Sequence, residues 1–319
     1  MIQKRSSLML SLMFLLMIGG LIGSVYAESV TVIVPPLNDC LHRGYWYSSI
    51  NGKTVWVGSI NINISNMVYN AYCIQYDVNL YAGYTYTAPL SAAPDLPIWR
   101  SISYILTWYH SSSISNNEGF AIQAAIWKYA TGTDPTGACN TDGSLASQIY
   151  NAASAKNVVR PGDVLTLTPE SGAVPVGTSQ LLTAKVVNGS GSPKPGVRIK
   201  FSTTLGVFTD TGTDKIEGIT DANGEVNVGI TSSIQGLAEI TASTNGMWAH
   251  ILDMQRNGNN YQDLIGLGYP EIVVKSDIAF VRFFVIPEVS LGTVTVTLTS
   301  LAAIVFMSKV ERRRWRGTI

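Results

Sequence analysis

Ser115-Asn116-Asn117-Glu118-Gly119-Phe120-Ala121-Ile122-Gln123-Ala124-Ala125-Ile126-Trp127 is the stretch that sets the architecture of the first half of the chain. Ser115 and Glu118 have the spacing of a capping box, in which each side chain takes a backbone N–H of the other's residue, so a helix starts here and runs to Gly132. Upstream, Ile98, Ile102, Ile105, Leu106 and Tyr109 recur at helical spacing behind Asp95 and Pro97, which predicts an earlier helix. A third helix follows Asp142, with Leu145, Ile149 and Ala153 on one face. Before the helices the grammar is β: Lys53 to Val57 follows an Asn51-Gly52 turn signal, and Ile60-Asn61-Ile62-Asn63-Ile64 alternates strictly. Strands followed by helices predict an α+β domain over residues 28–158.

Past Pro161-Gly162 the pattern becomes purely β. Leu182, Ala184 and Val186 alternate with polar residues, as do Val197, Ile199 and Phe201, then Val226, Val228 and Ile230, then Ala238, Ile240 and Ala242. Short strands separated by turn clusters predict an all-β sandwich over 159–286. Residues 247–276 break that rhythm and read as an insertion before a last strand from Ala279 to Val285. The stretch from Val164 to Thr244 resembles the bacterial Ig-like domains of the invasin and intimin type. The resemblance rests on Pro195-Gly196-Val197 and on Thr220-Asp221-Ala222-Asn223-Gly224-Glu225-Val226. It implies a spacer that projects a tip domain from the cell.

The ends address the chain to the exterior. Lys4 and Arg5 precede an uncharged run from Leu8 to Ile22 and a small-residue site ending at Ala27, the layout of a signal peptide over residues 1–27. Val289 to Met307 is uncharged and close to the ~20 residues of a membrane-crossing helix. The basic tail from Lys309 to Arg316 predicts a cytoplasmic C-terminus and a bilayer anchor over 287–319. Pro287-Glu288-Val289 resembles the sorting signals of archaeal surface proteins, which pair a Pro-Glu motif with an apolar helix and a basic tail. Asn63-Ile64-Ser65 and Asn188-Gly189-Ser190 are glycosylation candidates on such an exterior.

Of the 319 residues 46% are hydrophobic and only 13% charged, and 21 basic side chains balance 21 acidic ones. Such a chain is expected to fold for most of its length, and it has no net field with which to attract nucleic acid. No metal-ligand cluster, phosphate loop or Ser/His/Asp pattern stands out, so no metal or cofactor is expected. His42 and His250 have no ligand-like neighbours.

Three cysteines in an exported chain leave one thiol over. Cys40 and Cys139 lie in polar, turn-like contexts. Cys73 lies in the aromatic strand-like run Ala71-Tyr72-Cys73-Ile74-Gln75-Tyr76. A buried strand cysteine is by default a small hydrophobe. Gln123 changes the weighing, because an amide among apolar neighbours needs a specific partner; without one its burial costs about 1–3 kcal/mol. Two readings compete: Gln123 binds backbone groups of a facing strand, or the Cys73 sulfur attacks its carboxamide, expels ammonia and leaves an internal thioester.

At Tyr72-Cys73-Ile74 and Gln123-Ala124-Ala125-Ile126-Trp127 the chain resembles the thioester domains of bacterial surface adhesins, over about Gly44 to Ala155. The family often has Thr before this Gln; here it is Ile122. The resemblance implies a Cys73–Gln123 thioester that acylates a primary amine, such as a lysine, on a protein or glycan of another cell or host surface. Such a molecule is a single-turnover acyl donor rather than an enzyme. The expected surroundings are Tyr72, Ile74, Tyr76, Ala125, Ile126 and Trp127, of which Tyr72, Tyr76 and Trp127 are to hold off water; His110, after the first helix, is read first as a partner of that helix's C-terminal dipole and second as a proton shuttle. Gln75 is a poorer acyl partner, being too close along the strand. With Cys73 engaged, Cys40 and Cys139 are left as disulfide candidates. The alternatives are a non-covalent binding or stalk protein with an inert Cys73, and a Cys/His hydrolase or transacylase built on Cys73 and His110.

Overall fold

The computed structural model describes residues 27–33, 43–45, 54–56, 58–64, 67–75, 80–81, 84–110, 115–132, 136–137, 143–266 and 272–286. Residues 1–26 of the expected signal segment, Cys40, His42, Tyr76, Cys139 and the C-terminal segment from 287 lie outside the described residues, whereas Ala27, the last residue of that expected segment, opens the first strand. The described chain is mostly β with three helices. None of them is long and apolar enough to cross a membrane.

The first region contains β1 (Ala27–Ile33), β2 (Arg43–Tyr45), β3 (Thr54–Trp56), β4 (Ile60–Ile64), β5 (Met67–Cys73) and β6 (Thr85–Ala92). Next come α1 (Pro97–Trp108), α2 (Asn116–Thr131), β7 (Thr136–Gly137) and α3 (Gly143–Ala153). Local chemistry explains the helix ends. In α2 the Ser115 hydroxyl accepts from the Glu118 N–H while the Glu118 carboxylate accepts from the Ser115 N–H. Gly132 closes the helix at φ 76°, a left-handed conformation that glycine adopts freely. Helix α1 begins with Pro97, but Asp95 does not cap it; Leu96 takes that position, and the Asp95 carboxylate pairs with Arg100 and Arg160.

The second region holds β8 (Val164–Thr168), β9 (Ser171–Pro175), β10 (Ser179–Val187), β11 (Arg198–Thr203), β12 (Val207–Phe208), β13 (Lys215–Ile219), β14 (Glu225–Thr231) and β15 (Gly236–Gly246). After these come β16 (His250–Leu252), β17 (Gln255–Arg256), β18 (Asn259–Asn260), β19 (Leu264–Gly266) and β20 (Val273–Phe284). Strands β12-β14-β10-β8 and β13-β11-β15-β20-β9 form two facing sheets. Between them lie the alternating residues that the sequence marks as core, including Leu182, Ala184, Val186, Ile199, Phe201, Ile230 and Ile240. The last strand starts earlier than Ala279, because Val273 to Ile278 continue the ladder with β15 as far as Gly246.

Residues 247–266 do not belong to the sandwich. β16 pairs with β6 and with β19, and β19 pairs with β5. With the β5–β4, β4–β1 and β1–β6 pairs this closes an antiparallel ring, β1-β4-β5-β19-β16-β6. The expected insertion is therefore the return of the chain to the first domain, whose barrel would stay open without it. The sandwich strands β8–β15 are the excursion. On the outgoing crossing, adjacent residues part company: Val158 packs with the helices and Val159 with the sandwich core. Gly196 holds the same junction at φ 80°, where a Cβ would come within 2.5 Å of the Ala155 oxygen.

Side chains alternate across the barrel wall. Ile60, Ile62, Ile64, Ala71, Cys73, Tyr86, Ala88, Leu252 and Leu264 share one core. Tyr72 and Ile265 face the other way, into a layer built with Ile102, Ile105, Ile122 and Ile126 of the helices. Helix α2 is buried on both sides. Phe120, Ala124 and Trp127 join the Cys73 core, and Ala121, Ile122, Ala125 and Ile126 join the helical layer.

Candidate functional site

Strand β4 stops two positions short of Cys73. Its first residue, Ile60, pairs with Ala71, and the chain before it turns away at Gly58 and Ser59. The backbone N–H and C=O of Cys73 are thereby left without a strand on that edge, although the residue is buried. A buried peptide group without a partner is costly, and α2 supplies one. Gly119, on the α2 turn before Gln123, brings the helix to ordinary contact distance of the Ser59 backbone, 3.7 Å from a Cβ placed there. Gln123, 1% exposed, then completes the edge. Its Oε1 accepts from the Cys73 N–H at 2.8 Å, and its Nε2 donates to the Cys73 C=O at 2.7 Å. The side-chain amide thus takes the place of a β-strand on Cys73 alone.

The sequence pairing of Cys73 with Gln123 is met in space, and the contact made is the backbone one. Both amide groups of Gln123 are satisfied, which removes the burial penalty. It also sets the carboxamide carbon beside the α-carbon that bears the thiol, with Oε1 polarised by an N–H as an acyl oxygen is in an oxyanion hole. Cys73 is 3% exposed, and burial pushes its thiol up to about 12, with the Gln262 side chain pulling the other way.

The expected surroundings divide between the two faces of β5. Trp127 packs in the core that holds Cys73, together with Phe120, Ala124 and Tyr86. Tyr72, Ile74, Ala125 and Ile126 lie in the helical layer on the opposite face. His110 is also on that side: its Nδ1 is 3.1 Å from Tyr72 Oη and its Nε2 3.4 Å from the Asn70 amide. Strand alternation therefore puts His110 across the sheet from the Cys73 thiol, and the Cys73–His110 dyad is not assembled. Gln75 turns from Cys73 toward β19, where its Oε1 accepts from the Asp263 N–H and its Nε2 donates to the Asp263 carboxylate. Gln262 donates to the Gln75 carbonyl as well as touching the thiol. Sequence reasoning missed Gln262, because its neighbourhood with Cys73 exists only once β19 pairs with β5. Of the glycosylation candidates, Asn63 sits within β4, whereas Asn188 opens an exposed turn in which its Oδ1 accepts from Ser190 Oγ at 2.7 Å.

Burial lowers the His110 pKa below its ordinary 6.5. Its contribution to stability is therefore complete above that value and is lost as pH falls through the folded pKa. Urea midpoints at pH 7.5 and 5.5 are expected to show an acid-side loss in the parent chain that shrinks in His110→Gln. An equal loss in both would mean that His110 does not carry it.

Among the described residues no group of three His, Cys, Asp or Glu side chains is placed to hold a metal ion. No protein-family model and no curated protein matches the chain. Among solved structures, it is similar to the thioester domain of the Enterococcus faecium TIE86 protein, at 11% identity and TM-score 0.35, over 80% of this chain and 94% of that one. The thioester domain of the Staphylococcus aureus TIE protein matches at 14% identity and TM-score 0.35, over 82% and 99%. The D0-D1 domain of intimin matches at 19% identity and TM-score 0.22, over 38% and 46%. The site's own geometry carries the functional reading.

Proposed function

We propose that the chain is an exported, cell-surface adhesin whose Cys73 and Gln123 form an internal thioester that acylates a primary amine on another surface. The observation that supports this reading is the seating of the Gln123 carboxamide on Cys73 itself, buried on both sides by α2 and the barrel core. In forming the bond, the Cys73 sulfur attacks Cδ of Gln123 and the negative charge gathers on Oε1, against the Cys73 N–H. The C–N bond then breaks, and ammonia departs with the thiol proton. In use, a target amine attacks the same carbon, sulfur leaves, and the proton lost by the amine returns to it. Gln123 ends as an amide of the target, and the Cys73 thiol is free. The bilayer anchor at 287–319 and the sandwich between it and the barrel suit a tip held away from its own membrane.

A second reading is favoured by two features: Oε1 and Nε2 of Gln123 each have a backbone partner on Cys73, and burial pushes the Cys73 thiol up to about 12. On that reading Cys73 is inert and the surface protein binds reversibly or serves as a stalk. Intact mass of the exported ectodomain separates the two. A thioester makes it lighter by one ammonia after allowance for disulfides, and methylamine then adds its own mass and exposes one thiol. A chain at full mass with no methylamine adduct would sink the covalent reading.

A further inference from the structure

The end of the sandwich from which β20 leaves is free of charge and exposes a cluster of large apolar side chains, and we propose that it rests in the outer headgroup layer of the chain's own membrane. Ile234 and the run Phe284-Val285-Ile286 are the groups that enter the layer. The proposal rests on the bilayer anchor at 287–319 put forward above and is independent of the thioester.

Strand pairing collects several chain segments at this end. Gly236 of β15 pairs with Phe283, and Pro175 of β9 with Phe284. In the facing sheet Ser179 of β10 and Val207 of β12 both pair with Thr231. The Val176 N–H donates to the Phe284 carbonyl at 2.9 Å and the Gly177 N–H to the Ser232 carbonyl at 2.8 Å, which ties the two sheets together there. The connecting residues 176–178, 204–206, 232–235 and 285–286 include no Asp, Glu, Lys or Arg. At the opposite end Arg160, Asp163, Lys194 and Asp221 stand in the connections, and Arg160 pairs with Asp95 of the first domain.

Ile234 is 60% exposed in the β14–β15 turn, and Phe284, Val285 and Ile286 are 39%, 59% and 60% exposed. Leu181 and Leu237, close by on β10 and β15, are exposed as well. A single exposed apolar residue is ordinary, whereas a cluster at one end marks a contact surface. The turn is also built to enter an apolar medium. Ser232 Oγ accepts from the Ile234 N–H at 3.2 Å and donates to the Ile234 carbonyl at 2.8 Å, so the peptide groups of Ile234 need no water. On β20 the first charge above Phe284 is Arg282, exposed on the same face and about 7 Å higher, where it can meet lipid phosphate.

What covers this end follows from where the chain goes next. Only Pro287 and Glu288 separate Ile286 from the uncharged run Val289 to Met307. The steps from Ile286 to Val289 span at most about 10 Å when fully extended, and a headgroup layer is about 5–8 Å deep on each side of the hydrocarbon core. An anchored chain therefore holds Ile286, and with it the β14–β15 turn, against the bilayer surface. A second copy anchored in the same membrane would approach from the side rather than from below. Seated in this way, the sandwich carries the first domain at a fixed height instead of swinging on a tether.

The test uses the full chain reconstituted into phosphatidylcholine vesicles. Ile234→Trp places an emitter at the proposed contact, and Asn223→Trp places one in the exposed turn at the opposite end. Val285→Trp reports the same contact from the exit of β20 and should behave as Ile234→Trp does. Flotation of the parent chain with the vesicles reads the anchor; a chain that does not float sinks the anchor and this inference together. The emission added by each substitution, taken as the difference from the parent chain, is then compared in vesicles of ordinary and of acyl-brominated lipid. Bromine quenches only at contact, so the emission added at 234 is expected to be blue-shifted and largely lost in brominated lipid, and that added at 223 to be unchanged. Emission at 234 and 285 quenched no more than at 223 overturns the inference while leaving the anchor standing. Blue-shifted, unquenched emission at 234 that reddens as the chain is diluted in lipid also overturns it, and assigns this end to a second copy.

Discussion

Gln123→Ala is expected to lower the unfolding free energy by about 3–5 kcal/mol, because it leaves the Cys73 N–H and C=O buried without partners and a void beside Phe120 and Trp127. Cys73→Ala provides the contrast. In an unlinked chain it removes a small buried hydrophobe and leaves the Gln123 hydrogen bonds intact, at a cost of about 1 kcal/mol. A chain linked through Cys73 and Gln123 would respond differently. The cross-link closes a loop between positions 50 apart, and in the chain-entropy account such a closure contributes about 4 kcal/mol. Cys73→Ala would then cost about as much as Gln123→Ala. Urea denaturation of the parent and both variants reads this directly. A large effect for Gln123→Ala beside a small one for Cys73→Ala marks hydrogen bonding alone, and comparable large effects mark the bond. Two small effects would mean that the amide seat contributes little.

What the sequence discloses and what it conceals follow from the range of the interactions involved. The α2 boundaries are legible because Ser115, Glu118 and Gly132 act within a few residues of themselves. The sandwich strands are legible because period-2 burial repeats over several strands. Barrel closure is not legible, since β16 and β19 have three residues each and lie beyond the sandwich strands in sequence. Their place is fixed by backbone pairing with β6 and β5, to which the hydrophobic pattern is silent. The Cys73–Gln123 pairing is legible as a misplaced polar residue in an apolar helix. The form of the contact is not, because the need for a partner arises from β4 stopping at Ile60. Tyr72 and His110 illustrate the cost of reading proximity along a strand as proximity in space: adjacent residues face opposite layers.

Lys194→Ala is expected to cost about 3–5 kcal/mol, the penalty of leaving a buried carboxylate without its counter-charge. Lys194 is bonded to Asp163, and their side chains are only 8% and 4% exposed. Burial depresses the Lys194 pKa, with the Asp163 carboxylate opposing that effect. The pair sits where the chain leaves the first domain. Asp163 also accepts from the Arg160 N–H at 2.7 Å, closing the turn through Pro161 and Gly162. Arg160 in turn stacks 3.4 Å above the Trp248 ring and pairs with Asp95 before α1. Lys194 therefore anchors the outgoing crossing from the sandwich side, while Trp248 belongs to the returning segment. Loss of the lysine alone should lower the stability of both domains, read as a shared fall in the urea midpoint by circular dichroism and by tryptophan fluorescence. Replacing both partners, as Lys194→Met with Asp163→Asn, removes the stranded charge, and most of the stability should return. A double variant no more stable than Lys194→Ala would show that the ion pair itself, rather than the absence of a lone charge, holds the crossing.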